Sequence, residues 1–142
     1  MNLVIACDHA GYSMKENVKQ YLMEQGHSVI DCGTNSTDSC DYPVFAKALC
    51  KEINEGRAQL GILICGTGIG MSMAANKVKG IRAAVCSDYF SAKFTRAHND
   101  ANVICLGARV TGEGLALELI DIFLNTPFEG GKHLRRIAMF ED

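Results

Sequence analysis

The chain has 142 residues, 48% of them hydrophobic and 21% charged, and this composition is typical of one compact domain that buries a core. A formal net charge of −2 and a pI near 6.1 exclude the strongly basic surface by which nucleic acid and anionic membranes are bound. No run reaches the roughly 20 apolar residues of a membrane-spanning helix, so we expect no nucleic-acid or membrane partner.

Short apolar stretches alternate with stretches of helical periodicity along the whole chain. The apolar stretches are nearly continuous in character, as strands covered on both faces are, and five of them are candidate strands. These lie at residues 3–6, 28–31, 60–64, 82–85 and 103–106. The candidate helices lie at residues 12–25, 43–55, 69–77, 89–98, 113–124 and 132–140. Pro43 suits the first position of its helix, and Gly26 suits the end of the first helix.

A strict alternation of strands and helices predicts a parallel sheet with right-handed crossovers and helices on both faces. We therefore expect an α/β fold: a single domain over residues 1–142 with three αβα layers, Rossmann-like, plus a C-terminal helix. The common strand order for five such strands is 2-1-3-4-5. Ligands bind such sheets where the winding direction reverses, here at the carboxyl ends of strands 1 and 3.

The third candidate strand runs into Cys65-Gly66-Thr67-Gly68-Ile69-Gly70, after which a helix begins. Three glycines in five residues let the backbone turn sharply and direct successive N–H groups into one concavity that suits an anion. A cysteine at the edge of such a loop favours a poised base or nucleophile. The alternative is a small apolar residue that closes a strand, the role expected of the other six cysteines.

Polar side chains also follow strand 1, which ends in Cys7-Asp8-His9. Taken singly, Asp8 suits a helix N-cap and His9 needs no role. Because strands 1 and 3 are expected to be neighbours, however, an acid, an imidazole, a thiol and the Thr67 hydroxyl would converge on one crevice. The loop from Thr34 to Tyr42 could overhang the same edge and bring Tyr42 close.

The segment His98-Asn99-Asp100 ends the fourth helix and precedes strand 5, which places it at the amino edge of the sheet, opposite the crevice. Either His98 is a cation at a helix C-terminus, or it serves the site of a neighbouring subunit. Near the chain end, Lys132 and Arg136 lie four residues apart on one helix face. They form either a phosphate clamp or a solvated basic tail.

The seven cysteines are odd in number and scattered, with no C-x-x-C and no Cys/His ligand spacing. This excludes the usual disulfide frameworks and zinc motifs and suits a reducing compartment. The chain also begins directly with a strand-like segment, so we expect a cytoplasmic protein.

Eight motifs, in order along nearly the whole chain, resemble those of the ribose-5-phosphate isomerase B family, which also contains the galactose-6-phosphate isomerase subunits. They are residues 7–11 (CDHAG), 41–43 (DYP), 64–70 (ICGTGIG), 75–77 (ANK), 80–83 (GIRA), 98–103 (HNDANV), 107–110 (GARV) and 129–133 (EGGKH). The glycine loop alone would be weak evidence, because it lacks the dinucleotide spacing G-x-G-x-x-G.

This resemblance implies that D-ribose 5-phosphate and D-ribulose 5-phosphate interconvert through a cis-enediolate, as the pentose phosphate pathway requires, without metal or organic cofactor. It implies that the Cys65 thiolate is the base for proton transfer between C2 and C1. The family's anion hole corresponds to the backbone amides of the loop, namely Gly66, Gly68, Ile69 and Gly70 together with Thr67.

The remaining roles also come from the resemblance. It implies that His98, assisted by Thr67, opens the sugar ring. Sugar hydroxyls would be contacted by Asp8, Tyr42 and Asn99, and the phosphate by His9, Arg109 and Arg136. Family members are homodimers or homotetramers with sites shared between subunits, which agrees with the distant position of His98.

One departure is Lys132, where many relatives carry arginine, because a flexible point charge replaces a bidentate fork. Arg135 could compensate. Three alternatives stay open: an isomerase of a 6-phosphorylated hexose such as allose or galactose 6-phosphate, a non-catalytic sugar-phosphate sensor, and a cysteine hydrolase. The loop at residues 34–41 could determine which sugar chain length the site accepts.

Overall fold

The computed structural model describes residues 1–141 and has the α/β architecture that the sequence predicts, with every predicted strand and helix present. The strands are β1 (Asn2–Cys7), β2 (Ser28–Asp31), β3 (Leu60–Cys65), β4 (Ala83–Val85) and β5 (Val103–Gly107). The helices are α1 (Tyr12–Glu24), α2 (Tyr42–Asn54), α3 (Ile69–Ala75), α4 (Tyr89–Asn99), α5 (Glu113–Asn125) and α6 (Lys132–Ile137). Two 3-10 helices, His9–Gly11 and Ala138–Glu141, complete these residues, and the second forms the end of the predicted last helix.

The strand order is β2-β1-β3-β5-β4, so the predicted order 2-1-3-4-5 is wrong in its last two positions. All five residues of β5 are buried, and β5 pairs with both β3 and β4. β4 has only three residues, none of them fully buried, and occupies the edge. An interior strand must supply apolar side chains to both faces of the sheet, and β5 does so where the two alanines of β4 do not. All neighbouring strands are parallel, and β1 lies beside β3 as predicted.

Alternation along β1 divides the core between the two faces of the sheet. Leu3 and Ile5 face a cluster that includes side chains of α1 and α5, whereas Val4 and Ala6 face a cluster that includes side chains of α2 and α3. The sheet is therefore covered on both sides, which holds the carboxyl ends of its central strands in fixed positions. Among residues 1–141, no helix has the length and apolar character needed to cross a bilayer.

Candidate active site

The carboxyl ends of β1 and β3 meet at the point where the direction of winding reverses. Cys7 is in register with Ile64, and the Asp8 N–H donates to the Ile64 carbonyl oxygen at 3.2 Å. The next turn passes so close that a Cβ on Gly11 would lie 2.6 Å from the same oxygen. Asp8 therefore directly follows β1, and Cys65 is the last residue of the adjacent, tightly packed strand β3.

Cys65 lies at the end of β3, with only 5% of its surface exposed, and begins the glycine-rich loop. Its Sγ accepts a hydrogen bond from the Gly68 N–H at 3.1 Å, which fixes the sulfur at the head of the loop. Gly68 has φ +79°, and a Cβ there would lie 3.1 Å from the carbonyl carbon of Leu106. Glycine is required at this position both for the left-handed backbone and for the close approach of β5.

The loop holds backbone donors that the fold does not use. The Thr67 Oγ1 accepts the Ile69 N–H at 3.2 Å, so that donor is engaged within the loop. By contrast, the N–H groups of Gly66, Thr67 and Gly70 donate to no carbonyl or side chain of residues 1–141. Free amide groups converging beside a thiol can stabilise an oxyanion that forms next to it.

Arg109, which follows β5, lies over the beginning of this loop. Its backbone N–H donates to the Gly66 carbonyl oxygen at 3.0 Å, and its guanidinium Nη1 would be 3.2 Å from a Cβ on Gly66. The Ala108 N–H likewise donates to the Cys65 oxygen at 2.8 Å. The glycine at position 66 thus gives an exposed cation direct access to the loop.

Asp8 is buried and is the N-cap of the 3-10 helix His9–Gly11. A helix N-cap is the local role that the sequence suggests for Asp8. Its Oδ1 accepts the N–H groups of Ala10 at 2.9 Å and Gly11 at 3.2 Å. The second carboxylate oxygen, Oδ2, accepts no hydrogen bond within residues 1–141. The cap therefore orients the carboxylate and leaves one oxygen available to a ligand.

His9 is held by the loop after β2. Its Nδ1 accepts the Cys40 N–H at 3.3 Å and lies 3.8 Å from the Cys40 sulfur. Because Nδ1 accepts, we assign the ring proton of the neutral imidazole to Nε2, which makes that nitrogen a donor. Nothing in the sequence indicates this contact, since Cys40 is one of several scattered cysteines.

Tyr42 begins α2 and extends over the glycine loop. A Cβ on Gly70 would lie 2.7 Å from the Tyr42 Cζ and 3.0 Å from its hydroxyl oxygen, so the ring lies against the bare backbone of the loop. The loop after β2 therefore does overhang this edge of the sheet. Together these residues form what we call the carboxyl-edge group: Asp8, His9, Tyr42, Cys65, the loop 66–70 and Arg109.

His98 and Asn99 lie elsewhere in the chain's own fold, because α4 ends at Asn99 and β5 begins at Val103, at the amino edge. The His98 ring stacks on the ring of His133, with centroids 4.2 Å apart and planes at 10°. Asn99 is exposed, and its carbonyl oxygen accepts the Arg82 Nε–H at 3.2 Å. Neither residue shares a hydrogen bond with the carboxyl-edge group.

The two remaining candidates, Lys132 and Arg136, are exposed on α6, which packs against α4. The Glu129 N–H donates to the Ala97 carbonyl oxygen at 3.0 Å and fixes the start of this segment. Burial of the His133 ring, with the nearby His98 second, lowers the pKa of His133. We call His98, Asn99, Glu129, Lys132, His133 and Arg136 the amino-edge group.

Glu129 and His133 were not among the predicted site residues, although the Glu129 Oε2 lies 3.7 Å from the His98 Nε2 and 3.5 Å from the His133 Nε2. The only signal in the sequence is their four-residue spacing near a glycine pair. That spacing cannot show which surface they face, because the approach of α6 to α4 is a tertiary contact.

A family model described as Ribose/Galactose Isomerase matches residues 3–140. The curated ribose-5-phosphate isomerase B of Escherichia coli strain K12 is 45% identical over 95% of this chain and 91% of the relative. A galactose-6-phosphate isomerase subunit of Clostridium acetobutylicum is 42% identical over 96% of this chain and 79% of the relative.

Solved structures agree closely with this fold. The structure of ribose-5-phosphate isomerase B from Clostridium thermocellum superposes with a TM-score of 0.97 at 45% identity, covering 98% of this chain and 94% of that one. The Mycoplasma genitalium ribose-5-phosphate isomerase B with bound ribulose-5-phosphate superposes with a TM-score of 0.94 at 41% identity, covering 97% and 92%. The similarity in sequence and the similarity in backbone structure therefore both extend over nearly the full length of each chain.

Proposed function

The chain belongs to the ribose/galactose isomerase family and is a sugar-phosphate isomerase, and we propose that its substrates are D-ribose 5-phosphate and D-ribulose 5-phosphate. The similarity to ribose-5-phosphate isomerases B, one of them solved with ribulose-5-phosphate bound, supports this substrate pair. The proposed reaction is the isomerisation step of the pentose phosphate pathway.

The observation that carries the proposal is the position of Cys65 beside unused backbone donors. As a thiolate, Cys65 removes the proton from C2 of the open-chain aldose, and the electron pair moves through the new C1–C2 double bond onto O1. The N–H groups of Gly66, Thr67 and Gly70 stabilise the negative charge of the resulting enediolate. Return of the proton from sulfur to C1, with transfer of the O2 proton to O1, gives the ketose.

The Asp8 carboxylate and the Tyr42 hydroxyl bind the sugar hydroxyl groups in this mechanism. Asp8 Oδ2 is free while Oδ1 is held by the 3-10 helix, so the carboxylate is oriented before substrate arrives. Tyr42 lies directly on Gly70, at the far end of the loop from Cys65. The reacting carbons are thereby placed between the thiol and the amide groups.

We assign ring opening to His98, assisted by Thr67. This assignment requires a second copy of the chain. Thr67 is in the carboxyl-edge group and His98 in the amino-edge group, so one chain does not bring them together. In a symmetric dimer, the amino-edge group of one copy completes the carboxyl-edge group of the other. Asn99, the residue that follows His98, would then hydrogen-bond the same sugar.

Exposed apolar surface next to His98 supports such a partner. The Phe90 ring packs against Phe94 in a tilted arrangement with centroids 4.4 Å apart, and Phe94 packs likewise against His98 at 4.8 Å, yet Phe90 is 70% exposed. On α6, Leu134 is 57% exposed, and none of the helix's residues is buried. Burying these side chains against a second copy would remove apolar area from water next to His98, where the proposed site needs residues from a partner.

The substrate phosphate is bound by cations from both groups. Arg109 and the Nε2–H of His9 belong to the carboxyl-edge group, and Lys132 and Arg136 would come from the second copy. Because Lys132 supplies one point charge where arginine would supply a planar fork, Arg136 carries the bidentate contact on α6.

A direct comparison of substrates tests the proposal. Initial rates with ribose 5-phosphate, allose 6-phosphate and galactose 6-phosphate should give the highest kcat/KM for ribose 5-phosphate. The hexose phosphates are the relevant competitors because a galactose-6-phosphate isomerase subunit is 42% identical to this chain. A higher kcat/KM for either hexose phosphate would overturn the pentose assignment.

A further inference from the structure

Two imidazoles and one carboxylate of the amino-edge group converge on a single point. The Oε2 of Glu129 is 3.7 Å from the His98 Nε2 and 3.5 Å from the His133 Nε2, and ligand atoms of all three residues lie within 4.8 Å of one another. This is the only such cluster of three potential ligands among residues 1–141.

Two of the separations in this cluster are close to those at a coordinated metal ion. With metal–ligand bonds of about 2.0–2.1 Å, the ligand atoms of a tetrahedral site lie roughly 3.4 Å apart. The histidine-to-carboxylate distances of 3.5 and 3.7 Å need little adjustment to share one ion, and the imidazole nitrogens start within 4.8 Å of each other. Two histidines and one acidic residue form a ligand set that zinc uses with a water molecule in the fourth position.

The orientation of the rings requires a small movement. Because the two imidazoles are stacked at 10°, their lone pairs lie in nearly parallel planes and do not yet point at a common centre. Each ring must tilt, and rotation about the terminal torsion of histidine is soft. The His98 side chain is 39% exposed and Glu129 is 55% exposed, so neither is held in place by packing on all sides.

We infer that His98, Glu129 and His133 form a binding site for a divalent transition-metal ion, of which Zn²⁺ fits the ligands best. Lys132 and Arg136 lie on the same helix as His133, and their positive charges repel a cation. Glu129 is the ligand whose negative charge offsets this repulsion. Binding does not depend on the function proposed above. Inhibition does rest on that function, because a metal-bound His98 could not transfer protons during ring opening.

Binding is tested on the full-length protein after chelation and dialysis. Titration calorimetry with Zn²⁺ should show one saturable site per chain. Glu129→Gln and His133→Ala should each weaken Zn²⁺ affinity roughly tenfold or more, since even outer-shell changes at metal sites cost about that much. His27→Ala is the matched control, because His27 lies elsewhere, with its Nδ1 3.2 Å from the N-terminal amine. Thermal unfolding of the metal-free proteins checks that the variants fold.

Thiols are the competing ligands, and Co²⁺ distinguishes them. Co²⁺ at the proposed site should give visible ligand-field bands without a thiolate-to-cobalt charge-transfer band, and Cys40→Ser, which removes the sulfur near His9, should not change them. Absence of saturable Zn²⁺ binding, equal affinity in Glu129→Gln and wild type, or a strong charge-transfer band would each overturn the inference.

Activity separates this inference from the proposed function. Zn²⁺ should inhibit isomerisation at the concentrations at which it binds, and a chelator should restore the rate. Zn²⁺ bound by these three residues without inhibition would support the metal site and count against the role of His98 in ring opening. A Glu129→Gln protein that stays fully sensitive to Zn²⁺ would show that inhibition arises at a different site and would contradict the inference.

Discussion

The ring of Tyr42 lies against the backbone of Gly70, so closely that a methyl group on the glycine would come within 2.7 Å of the Tyr42 Cζ. Gly70 lies in the first turn of α3, directly after the loop that follows β3, and Tyr42 begins α2, so this contact joins two separate elements of the carboxyl-edge group. Its geometry depends on the absence of a side chain at position 70.

Gly70→Ala should therefore displace either Tyr42 or the loop and lower kcat/KM by about tenfold to a hundredfold, the range expected when reacting groups shift by an ångström. Gly114→Ala is the matched control, because a Cβ at position 114 meets nothing within 4 Å and the residue lies in helix α5. Steady-state kinetics on both variants measure the effect. Equal kcat/KM in Gly70→Ala and wild type would show that Tyr42 does not position the substrate.

Replacement of Cys65 tests the proposed base. Cys65→Ala should retain substrate binding and reduce kcat by at least about a hundredfold, the lower range for loss of a positioned base. Cys32→Ala, at a half-buried cysteine beyond the end of β2, should keep its activity. Near-normal turnover by purified Cys65→Ala would remove Cys65 from the mechanism.

A thiol-alkylating reagent should also inactivate the wild type, and bound substrate should protect it. Cys7 and Cys50 should not react, because burial raises the pKa of Cys7 to about 12 and that of Cys50 to about 11 and so keeps both thiols protonated.

The sequence predicts the strands, helices and their parallel arrangement, because continuous apolar runs and helical periodicity are local properties. Its error lies in the order of β4 and β5. That order depends on which strand is better covered on both faces, and only the assembled sheet shows that β4 lies at the edge. The neighbouring positions of Asp8 and Cys65 could be predicted because they depend on β1 and β3 alone.

Contacts between loops and between helices were beyond prediction. The Cys40 N–H donated to His9 and the stacking of His133 on His98 join residues separated by long segments, and neither has a periodic pattern. The 3-10 helix His9–Gly11 was also missed, although Asp8 as a cap was foreseen. Three residues with a short polar cap leave too weak a local signal to separate a 3-10 helix from a turn.

Lys15 shows how the interior supports the site. Its side chain has no exposed surface, and its Nζ donates to the Asp31 carboxylate at 2.9 and 3.1 Å and to the Thr34 carbonyl oxygen at 2.9 Å. It therefore ties helix α1 to β2 and to the first residue of the loop that leads to Cys40 and Tyr42.

Lys15→Met should lower the free energy of unfolding by about 3 kcal/mol, because it removes the buried cation of this pair, leaves the Thr34 carbonyl oxygen without its donor and leaves Asp31 with Lys19 and the Gly33 N–H alone. Lys19→Met is the matched control: Lys19 also donates to Asp31 at 2.9 Å, but its side chain is 28% exposed and it does not reach the loop. The control should lose about 1 kcal/mol or less. Urea unfolding at neutral pH measures both, and equal losses would contradict the assigned role of Lys15.

The same ion pair predicts a pH dependence of stability. Burial alone would raise the pKa of Asp31, but hydrogen bonds from Lys15, Lys19 and the Gly33 N–H outweigh it and hold the pKa below its ordinary value. The unfolded chain then binds more protons than the folded one below about pH 4, so the contribution of Asp31 is complete above that pH and is lost as the pH falls through the lowered pKa.

Asp31→Asn removes this titrating group and serves as the comparison. The difference in unfolding free energy between wild type and Asp31→Asn should be largest at neutral pH and should shrink as the pH falls below about 4. Denaturant unfolding across this interval measures it. A difference that stays constant between neutral and acid pH would show that the Asp31 carboxylate does not stabilise the fold through its charge.

The separation of Cys65 from His98 leads to the prediction that tests the shared site. Cys65 ends β3 at the carboxyl edge of the sheet, and His98 lies near the end of α4 at the amino edge. If one site uses both residues, it must lie between two copies of the chain, and the smallest active species should be a symmetric dimer. Homodimers of Cys65→Ala lack the proposed base, and homodimers of His98→Ala lack the proposed ring-opening group.

A mixed dimer of the two variants contains one site with both residues intact and one site with neither. Refolding the variants together in equal amounts should restore roughly a quarter of wild-type activity, because about half of the dimers are mixed and each has one intact site of two. Co-refolding wild type with the double variant Cys65→Ala/His98→Ala provides the control for subunit exchange, since its mixed dimers carry one substitution in every site. Activity no higher than that of either variant alone, after exchange is verified by mass, would mean that Cys65 and His98 act from the same chain.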